Sequence, residues 1–270
     1  MNPYLELMRI NNCGMAAIAV LIGYTLVTLD FSIGVGLAMI SAFLICGGGQ
    51  AINDVYDSDI DKKINKKKPI ASGKVSKKNA LRFAQALFIV GILIAATINT
   101  WAFLIALIFS FLLVVYASVL YKVKYVGNII VALGTAFTLI FGASVTETMP
   151  LLILVFAMSA FFANMAREII KDFEDIKKDK GFKRTLPMIS EKLGKIFAVS
   201  YNLLAILFAI LAFVVFLSGN IAYLIMVLLA TITFGRSSRL LLKNDFKRSQ
   251  KNSKKGMLFS LLAYVTAIIR

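Results

Sequence analysis

The sequence predicts an all-helical integral membrane protein, and its composition, its recurring apolar stretches and the distribution of its lysines each support that fold class. Hydrophobic residues make up 59% of the 270 residues, against about 45 to 50% in soluble proteins. The mean hydropathy is +0.83. Stretches of about 20 apolar residues, enough to cross a hydrocarbon core about 30 Å thick, recur along the chain. We therefore expect one transmembrane domain over residues 1–270.

Apolar stretches in nine places are predicted to be transmembrane helices. They lie at residues 12–29, 33–53, 80–98, 101–121, 125–146, 150–170, 194–217, 220–242 and 255–269. Twenty-nine of the 30 Lys and Arg residues lie on the side of the membrane that holds the N-terminus and the loops after the even-numbered stretches, and Arg270 is the exception. The positive-inside rule then places these loops and the N-terminus in the cytoplasm, in a multi-pass protein of the cell membrane.

The formal net charge of +16 is explained largely by this topology and by attraction to anionic lipids. Nucleic-acid binding is not expected, because the basic residues lie in loops between membrane spans. Histidine is absent, which excludes histidine metal ligands and imidazole acid–base catalysis. Any catalysis must therefore use carboxylates, Lys, Arg, Tyr or a metal ion.

Two acidic motifs share one spacing, D-x-x-D-x-x-x-D, and the second follows the first by 118 residues. The aspartates are Asp54, Asp57 and Asp61 in the first motif and Asp172, Asp175 and Asp179 in the second. Spacings of three and four place each trio on one face of a helix or of its continuation. Because the motifs follow the second and sixth predicted spans, they are consistent with a parallel repeat of two four-helix halves plus a ninth helix.

Carboxylates stacked in this way need compensating positive charge, since they repel one another and helix C-termini disfavour negative charge. A solvated network with nearby lysines is one explanation, but two matching motifs favour bound cations. Mg²⁺ prefers oxygen ligands and commonly takes one or two carboxylates while substrate phosphates and water complete its shell. We predict that all six aspartates bind Mg²⁺ around a diphosphate. Asn53 either contacts the phosphate or the metal, or simply ends the helix.

These residues resemble the signatures of the UbiA superfamily of intramembrane prenyltransferases. Residues 53–61 match its N-D-x-x-D-x-x-x-D signature, and residues 167–187 resemble its second signature, from R-E to T-L-P. The segment KKPIASG resembles R-P-L-x-S-G, with Lys68 in place of Arg, and residues 116–122 echo a fourth-span segment. The resemblance covers nearly the whole chain. It implies one prenyltransferase domain of nine helices around a central cavity, with cytoplasmic cap loops and a cytoplasmic active site.

The resemblance also implies roles for individual residues. Mg²⁺ held by the two motifs would bind an isoprenyl diphosphate, whose chain lies in an apolar tunnel. Cleavage of the allylic C–O bond is favoured when metal ions and basic side chains neutralise the leaving diphosphate in a dry pocket. The expected catalytic residues are Asp54, Asp172 and Lys122. The expected diphosphate ligands are Asn53, Lys68, Lys122 and Arg184, although each basic residue is equally open to interpretation as a topology charge.

The acceptor is predicted from the start of the first span, ELMRINNCGMAAIAVLIG. This stretch resembles the archaeal branch of the superfamily that prenylates a glycerol phosphate lipid. The resemblance implies transfer from geranylgeranyl diphosphate to the 2-hydroxyl of geranylgeranylglyceryl phosphate, which forms the second ether bond of archaeal lipids. Arg9, Asn12 and Tyr116 are the expected acceptor-binding residues, with Arg9 alternatively an interfacial anchor. An aromatic quinone precursor such as 4-hydroxybenzoate is the alternative acceptor.

Two functions of other kinds compete with prenyl transfer. A divalent-cation transporter is one, because acidic residues in membrane spans mark ion paths; the aspartates here lie at one edge of the spans. A CDP-alcohol phosphotransferase requires D-G-x-x-A-R, whereas residues 61–64 read DKKI. A purely structural protein leaves both acidic motifs unexplained. The sequence predicts no particular oligomeric state.

Overall fold

The computed structural model describes residues 2–63, 67–120, 124–179, 181 and 184–269. These residues form eleven α-helices and one π-helical segment, Tyr116–Leu120, which confirms the predicted all-helical class. The α-helices, in chain order, are α1 Pro3–Met8, α2 Ile10–Thr25, α3 Ile33–Lys63, α4 Lys77–Ala96, α5 Thr100–Val115, α6 Lys124–Ser144, α7 Leu151–Asp179, α8 Leu186–Ile189, α9 Glu191–Phe216, α10 Ile221–Leu242 and α11 Phe246–Thr266.

Within the described residues, seven helices are long and apolar enough to cross a membrane, namely α3, α4, α5 with its π-helical continuation, α6, α7, α9 and α10. The first predicted span corresponds to α2, which has 16 residues and is about 24 Å long, shorter than a hydrocarbon core of about 30 Å. The ninth corresponds to α11, whose first half is rich in lysine. The count of nine spans therefore stays a prediction.

Polar residues in the connections determine where several of these helices begin. Side-chain oxygens accept hydrogen bonds from backbone N–H groups of the first turn, which otherwise lack partners. The residues that cap α4, α5, α9, α10 and α11 in this way are Ser76, Asn99, Ser190, Asn220 and Asp245. These caps interrupt the apolar sequence at the ends of the predicted spans.

The chain divides into two compact units. The first contains Met1–Leu120 and Phe141–Thr148, and the second contains Tyr121–Ile140 and Met149–Arg270. In the first unit, α3 packs against α2, α4 and α5. In the second, α7 packs against α9 and α11, and α10 packs against α11. Each unit therefore has one long helix that packs against several others.

Glycines allow other elements to approach closely within the first unit. A β-carbon at Gly47, Gly48 or Gly49 would meet the side chains of Met8, Phe88 and Leu113 respectively. A β-carbon at Gly142 would lie 2.0 Å from the carbonyl oxygen of Val20, so only glycine fits where α6 meets α2. Small residues commonly permit such close approach between membrane helices.

The two long helices carry the two acidic motifs. The first motif lies entirely within the 31-residue α3, and the second lies within the 29-residue α7. The prediction that each trio of aspartates lies on a single helix is thus confirmed. In addition, α7 begins at Leu151, which is 118 residues after Ile33, where α3 begins.

Candidate active site

In the first unit, two buried carboxylates share a lysine. Asp54 and Asp61 are 3% and 2% exposed and lie about two turns apart on α3. The Lys68 Nζ atom lies 2.8 Å from Asp54 Oδ1 and 2.7 Å from Asp61 Oδ2. The guanidinium of Arg9 donates to the same Asp54 oxygen at 2.9 Å. Two cationic side chains therefore converge on the acidic motif.

Lys68 reaches the motif because residues 68–75 fold into a compact turn. The backbone N–H of Ser72 donates to the Lys68 carbonyl at 2.8 Å, and that of Val75 donates to the Pro69 carbonyl at 3.2 Å. Ile70 and Val75 are buried in the core of the first unit. Gly73 has a φ of 77°, a conformation that glycine adopts without steric cost. The turn thereby brings a residue of the loop back to the helix that precedes it.

Arg9 is positioned by an unusual backbone conformation. It lies between α1 and α2 with a φ of 52°, in the left-handed region that non-glycine residues rarely occupy. Such a conformation costs on the order of 1 kcal/mol or more and is commonly found at functional sites. The left-handed conformation of Arg9 ends α1 and precedes α2, and the Arg9 side chain pairs with Asp54.

The environment of Lys68 keeps its ammonium charged. Burial by itself would lower the pKa of Lys68, but the neighbouring charges of Asp54 and Asp61 outweigh it and raise the pKa above its ordinary value. Opposite charges at this distance favour the charged form of the lysine. Lys68 is thus a fixed positive charge at neutral pH.

The other polar residues of the first motif differ in exposure. Asn53 and Asp57 are half-buried. Asp59, which does not follow the motif spacing, has a side chain that is 72% exposed and pairs at 3.2 Å with the exposed Lys77. The helical periodicity of α3 therefore places Asp54 and Asp61 in the interior and Asp59 at the surface.

In the second unit, Asp172 is completely buried. Its Oδ2 atom accepts a hydrogen bond of 2.7 Å from the side-chain amide of Asn128, which is itself 2% exposed on α6. Asp175 is half-buried, and the side chain of Asp179 lies outside the described part of the chain. Sequence reasoning missed Asn128, whose only signal is a polar residue within an apolar span.

A second buried carboxylate lies one turn before Asp172. Glu168 is 5% exposed; it pairs with the neighbouring Arg167 and lies 3.6 Å from the Lys171 ammonium. Each long helix thus carries two buried carboxylates. Those of α3 contact basic side chains, whereas on α7 Glu168 contacts basic side chains and Asp172 accepts from Asn128. Such an arrangement is suited to binding a cation or the phosphate of a metal-bound ligand.

The remaining predicted residues are less closely connected to these clusters. Asn12 and Arg184 are exposed, and Tyr116 is half-buried at the start of the π-helical segment. Arg9, which was predicted to contact the acceptor, pairs with Asp54, and its role toward the acceptor stays a prediction. Lys122 lies outside the described residues, so its predicted role is untested.

Comparison with known proteins defines the class. Residues 15–262 match the UbiA prenyltransferase family. The digeranylgeranylglyceryl phosphate synthase of Methanopyrus kandleri is 35% identical over 279 aligned positions that cover 100% of both chains. The chain therefore belongs to the UbiA prenyltransferase family, whose members are multi-pass membrane enzymes.

Solved structures agree with this assignment. A structure of digeranylgeranylglyceryl phosphate synthase is 30% identical, has a TM-score of 0.83 and matches 99% of this chain and 96% of its own. A UbiA homologue from Archaeoglobus fulgidus, solved with DMAPP and Mg²⁺, matches 95% of this chain and 98% of its own with a TM-score of 0.70. At 20% identity it shows only that the fold is shared.

Proposed function

We propose that the protein transfers a geranylgeranyl group from geranylgeranyl diphosphate to the 2-hydroxyl of geranylgeranylglyceryl phosphate, in a reaction that depends on Mg²⁺. The observation that carries this proposal is the full-length similarity to a digeranylgeranylglyceryl phosphate synthase, at 35% identity with both chains completely covered. One family match spans both units, which supports a single transferase domain over residues 1–270.

The described residues fit Mg²⁺ as the metal. The two motifs offer only hard oxygen ligands, and Mg²⁺ prefers these. Among the residues that the structure describes, no three acidic side chains are grouped closely enough to hold a metal alone. That agrees with an ion that takes one or two carboxylates and completes its shell with phosphate and water. The proposed ligands are Asp54, Asp57, Asp61, Asp172, Asp175 and Asp179.

The reaction exchanges one C–O bond for another. The allylic C–O bond of the donor breaks, the acceptor 2-hydroxyl oxygen bonds to that carbon, and diphosphate leaves. The hydroxyl proton passes to the released diphosphate or to a carboxylate. Bound Mg²⁺ would offset the negative charge that develops on the leaving group.

The basic side chains would contribute to the same charge balance. Lys68 and Arg9 already lie within 3 Å of Asp54, so a phosphate drawn to the first motif would meet two hydrogen-bond donors. We assign Lys68, Lys122, Arg184 and Asn53 to the diphosphate, with Lys122 and the motif residues Asp54 and Asp172 as the catalytic set. The exposed apolar surface of the helices would keep the prenyl chain out of water.

Arg9, Asn12 and Tyr116 are proposed to bind the acceptor. The Arg9 side chain is 42% exposed although it pairs with Asp54, so part of its guanidinium remains available to a phosphate. Asn12 lies three residues further along, at the start of α2. Together they would place an anionic glycerol phosphate near the first motif.

The orientation and the internal repeat are also proposed. The distribution of Lys and Arg supports a cytoplasmic N-terminus and a cytoplasmic active site. The offset of 118 residues, shared by the motifs and by the starts of α3 and α7, supports two related four-helix halves followed by a ninth helix.

A reconstitution experiment distinguishes transferase from transporter. In proteoliposomes that contain geranylgeranyl diphosphate and geranylgeranylglyceryl phosphate, we expect diphosphate release that requires Mg²⁺ and stops on addition of EDTA. Empty liposomes provide the control. Divalent-cation flux without prenyl diphosphate, together with no diphosphate release, would contradict the proposal.

A further inference from the structure

One face of α10 changes from apolar to basic along its length. Its exposed residues follow spacings of three and four, which place them in one stripe along the helix. The first part of this stripe is apolar and between 48% and 71% exposed, and consists of Ile221, Ile225, Leu228 and Ile232. The second part is basic and exposed, and consists of Arg236, Arg239 and Lys243. We call the whole set the α10 stripe.

The basic part of the α10 stripe borders a cavity. It has a volume of about 350 Å³ and is lined by Arg236, Arg239, Leu240, Lys243 and Asn252. Asn252 comes from α11, which packs against α10; Arg236, Arg239 and Leu240 come from the end of α10, and Lys243 is its C-cap. The cavity therefore offers three cations, one amide and one apolar wall, and it lies wholly within the second unit.

The positive charge of this cavity is not balanced by nearby acids. Asp245, the acidic residue next in sequence, lies 3.6 Å from Arg248. Among the described residues, no carboxylate forms an ion pair with any of the three cavity cations. The helix dipole favours cations in the last turn, which accounts for Lys243 and Arg239. Arg236 lies nearly two turns from the end of α10, beyond the reach of that effect.

The position of the cavity indicates a membrane lipid. The 22 residues of α10 span about 33 Å at 1.5 Å per residue, close to the thickness of a hydrocarbon core of about 30 Å. If the apolar part of the stripe faces acyl chains, the basic part reaches the depth of the phosphate headgroups. A soluble anion would contact only the basic part of the α10 stripe, whereas a phospholipid would contact the basic part with its headgroup and the apolar part with its acyl chains.

We propose that the cavity binds the headgroup of an anionic phospholipid, whose acyl chain lies along the apolar part of the α10 stripe. Arginine and lysine side chains recognise phosphate through charge-assisted hydrogen bonds, and basic pockets between membrane helices bind lipid headgroups. The site shares no residue with the two acidic motifs. It does not depend on the reaction proposed above, and it would fix the depth of α10 and α11 in the bilayer.

A pair of charge-matched variants of the full chain tests the proposal. The cavity variant is R236Q/R239Q/K243Q. The control variant, K247Q/K251Q/K254Q, removes the same charge from exposed positions of α11 that do not line the cavity. Thermal unfolding is measured in nanodiscs of phosphatidylcholine with or without phosphatidylglycerol, and retained lipid is counted by native mass spectrometry. Inorganic phosphate in detergent serves as the soluble anion.

We expect phosphatidylglycerol to raise the unfolding temperature of the wild type and of the control variant. The cavity variant should lose at least half of that increase and retain one phosphatidylglycerol fewer. Equal loss in both variants would show diffuse charge attraction, and stabilisation by inorganic phosphate alone would show a soluble-anion site; either overturns the proposal. If the triple variant does not fold, R239Q should show a smaller loss in the same direction, and no loss in R239Q would count against the site.

Discussion

Replacing Asp54 with asparagine is expected to lower the rate of prenyl transfer by about a hundredfold or more, the scale found when one preorganised electrostatic contact is removed from an active site. Asparagine keeps the size of the side chain but removes the charge that would attract Mg²⁺. Asp54 is almost fully buried and holds both Lys68 and Arg9. We expect D172N to behave similarly, because Asp172 is completely buried in the second motif.

The control is the same substitution, aspartate to asparagine, at Asp59, which lies on the same helix as Asp54. Asp59 is exposed and pairs only at the surface with Lys77, so D59N should transfer prenyl groups at close to the wild-type rate. Initial rates are measured with radiolabelled geranylgeranyl diphosphate, and size-exclusion elution monitors folding. A D54N protein that elutes normally and retains most of its rate would remove the first motif from the mechanism.

Replacing Lys68 with glutamine is expected to destabilise the protein by about 3 kcal/mol, because breaking a buried ion pair leaves uncompensated charge. Lys68 lies within 3 Å of both Asp54 and Asp61, and its side chain is 24% exposed. K77Q is the matched control. It breaks an exposed pair with Asp59, for which about 0 to 1 kcal/mol is typical.

The measurement is the free energy of unfolding in detergent without Mg²⁺, at neutral pH, for K68Q, K77Q and K68R. K68R retains the positive charge and should lie between the wild type and K68Q. Because folding raises the pKa of Lys68, its stabilising contribution is complete below the ordinary lysine value and is lost as the pH rises through the raised value. Equal stability of K68Q and K77Q would show that the lysine does not compensate the buried aspartates.

Local patterns of sequence predicted that each acidic motif lies on a helix, as it does on α3 and α7. The spacing D-x-x-D-x-x-x-D indicates one helix face, and α3 does bury Asp54 and Asp61 while exposing Asp59. Asp59 lies outside the motif spacing, which is consistent with its exposure. Helical periodicity is a local property, so no knowledge of the tertiary structure is needed.

Contacts between residues that are distant along the chain could not be predicted from local sequence patterns. The contacts of Lys68 with Asp54 and Asp61 were not predicted, because they depend on the turn over residues 68–75 that places the lysine against α3. Asn128 contacts Asp172 across 44 residues of sequence. A single asparagine in an apolar span does not identify its partner. The length of α2, 16 residues, was overestimated because its apolar sequence continues beyond the point where the helix ends.

The most direct test of the proposed function offers two acceptors to one enzyme. The protein is reconstituted with Mg²⁺ and radiolabelled geranylgeranyl diphosphate, and geranylgeranylglyceryl phosphate and 4-hydroxybenzoate are supplied together. We predict that the label enters the glycerol lipid alone and that EDTA abolishes the product. Label in the aromatic acid alone would contradict the proposed acceptor.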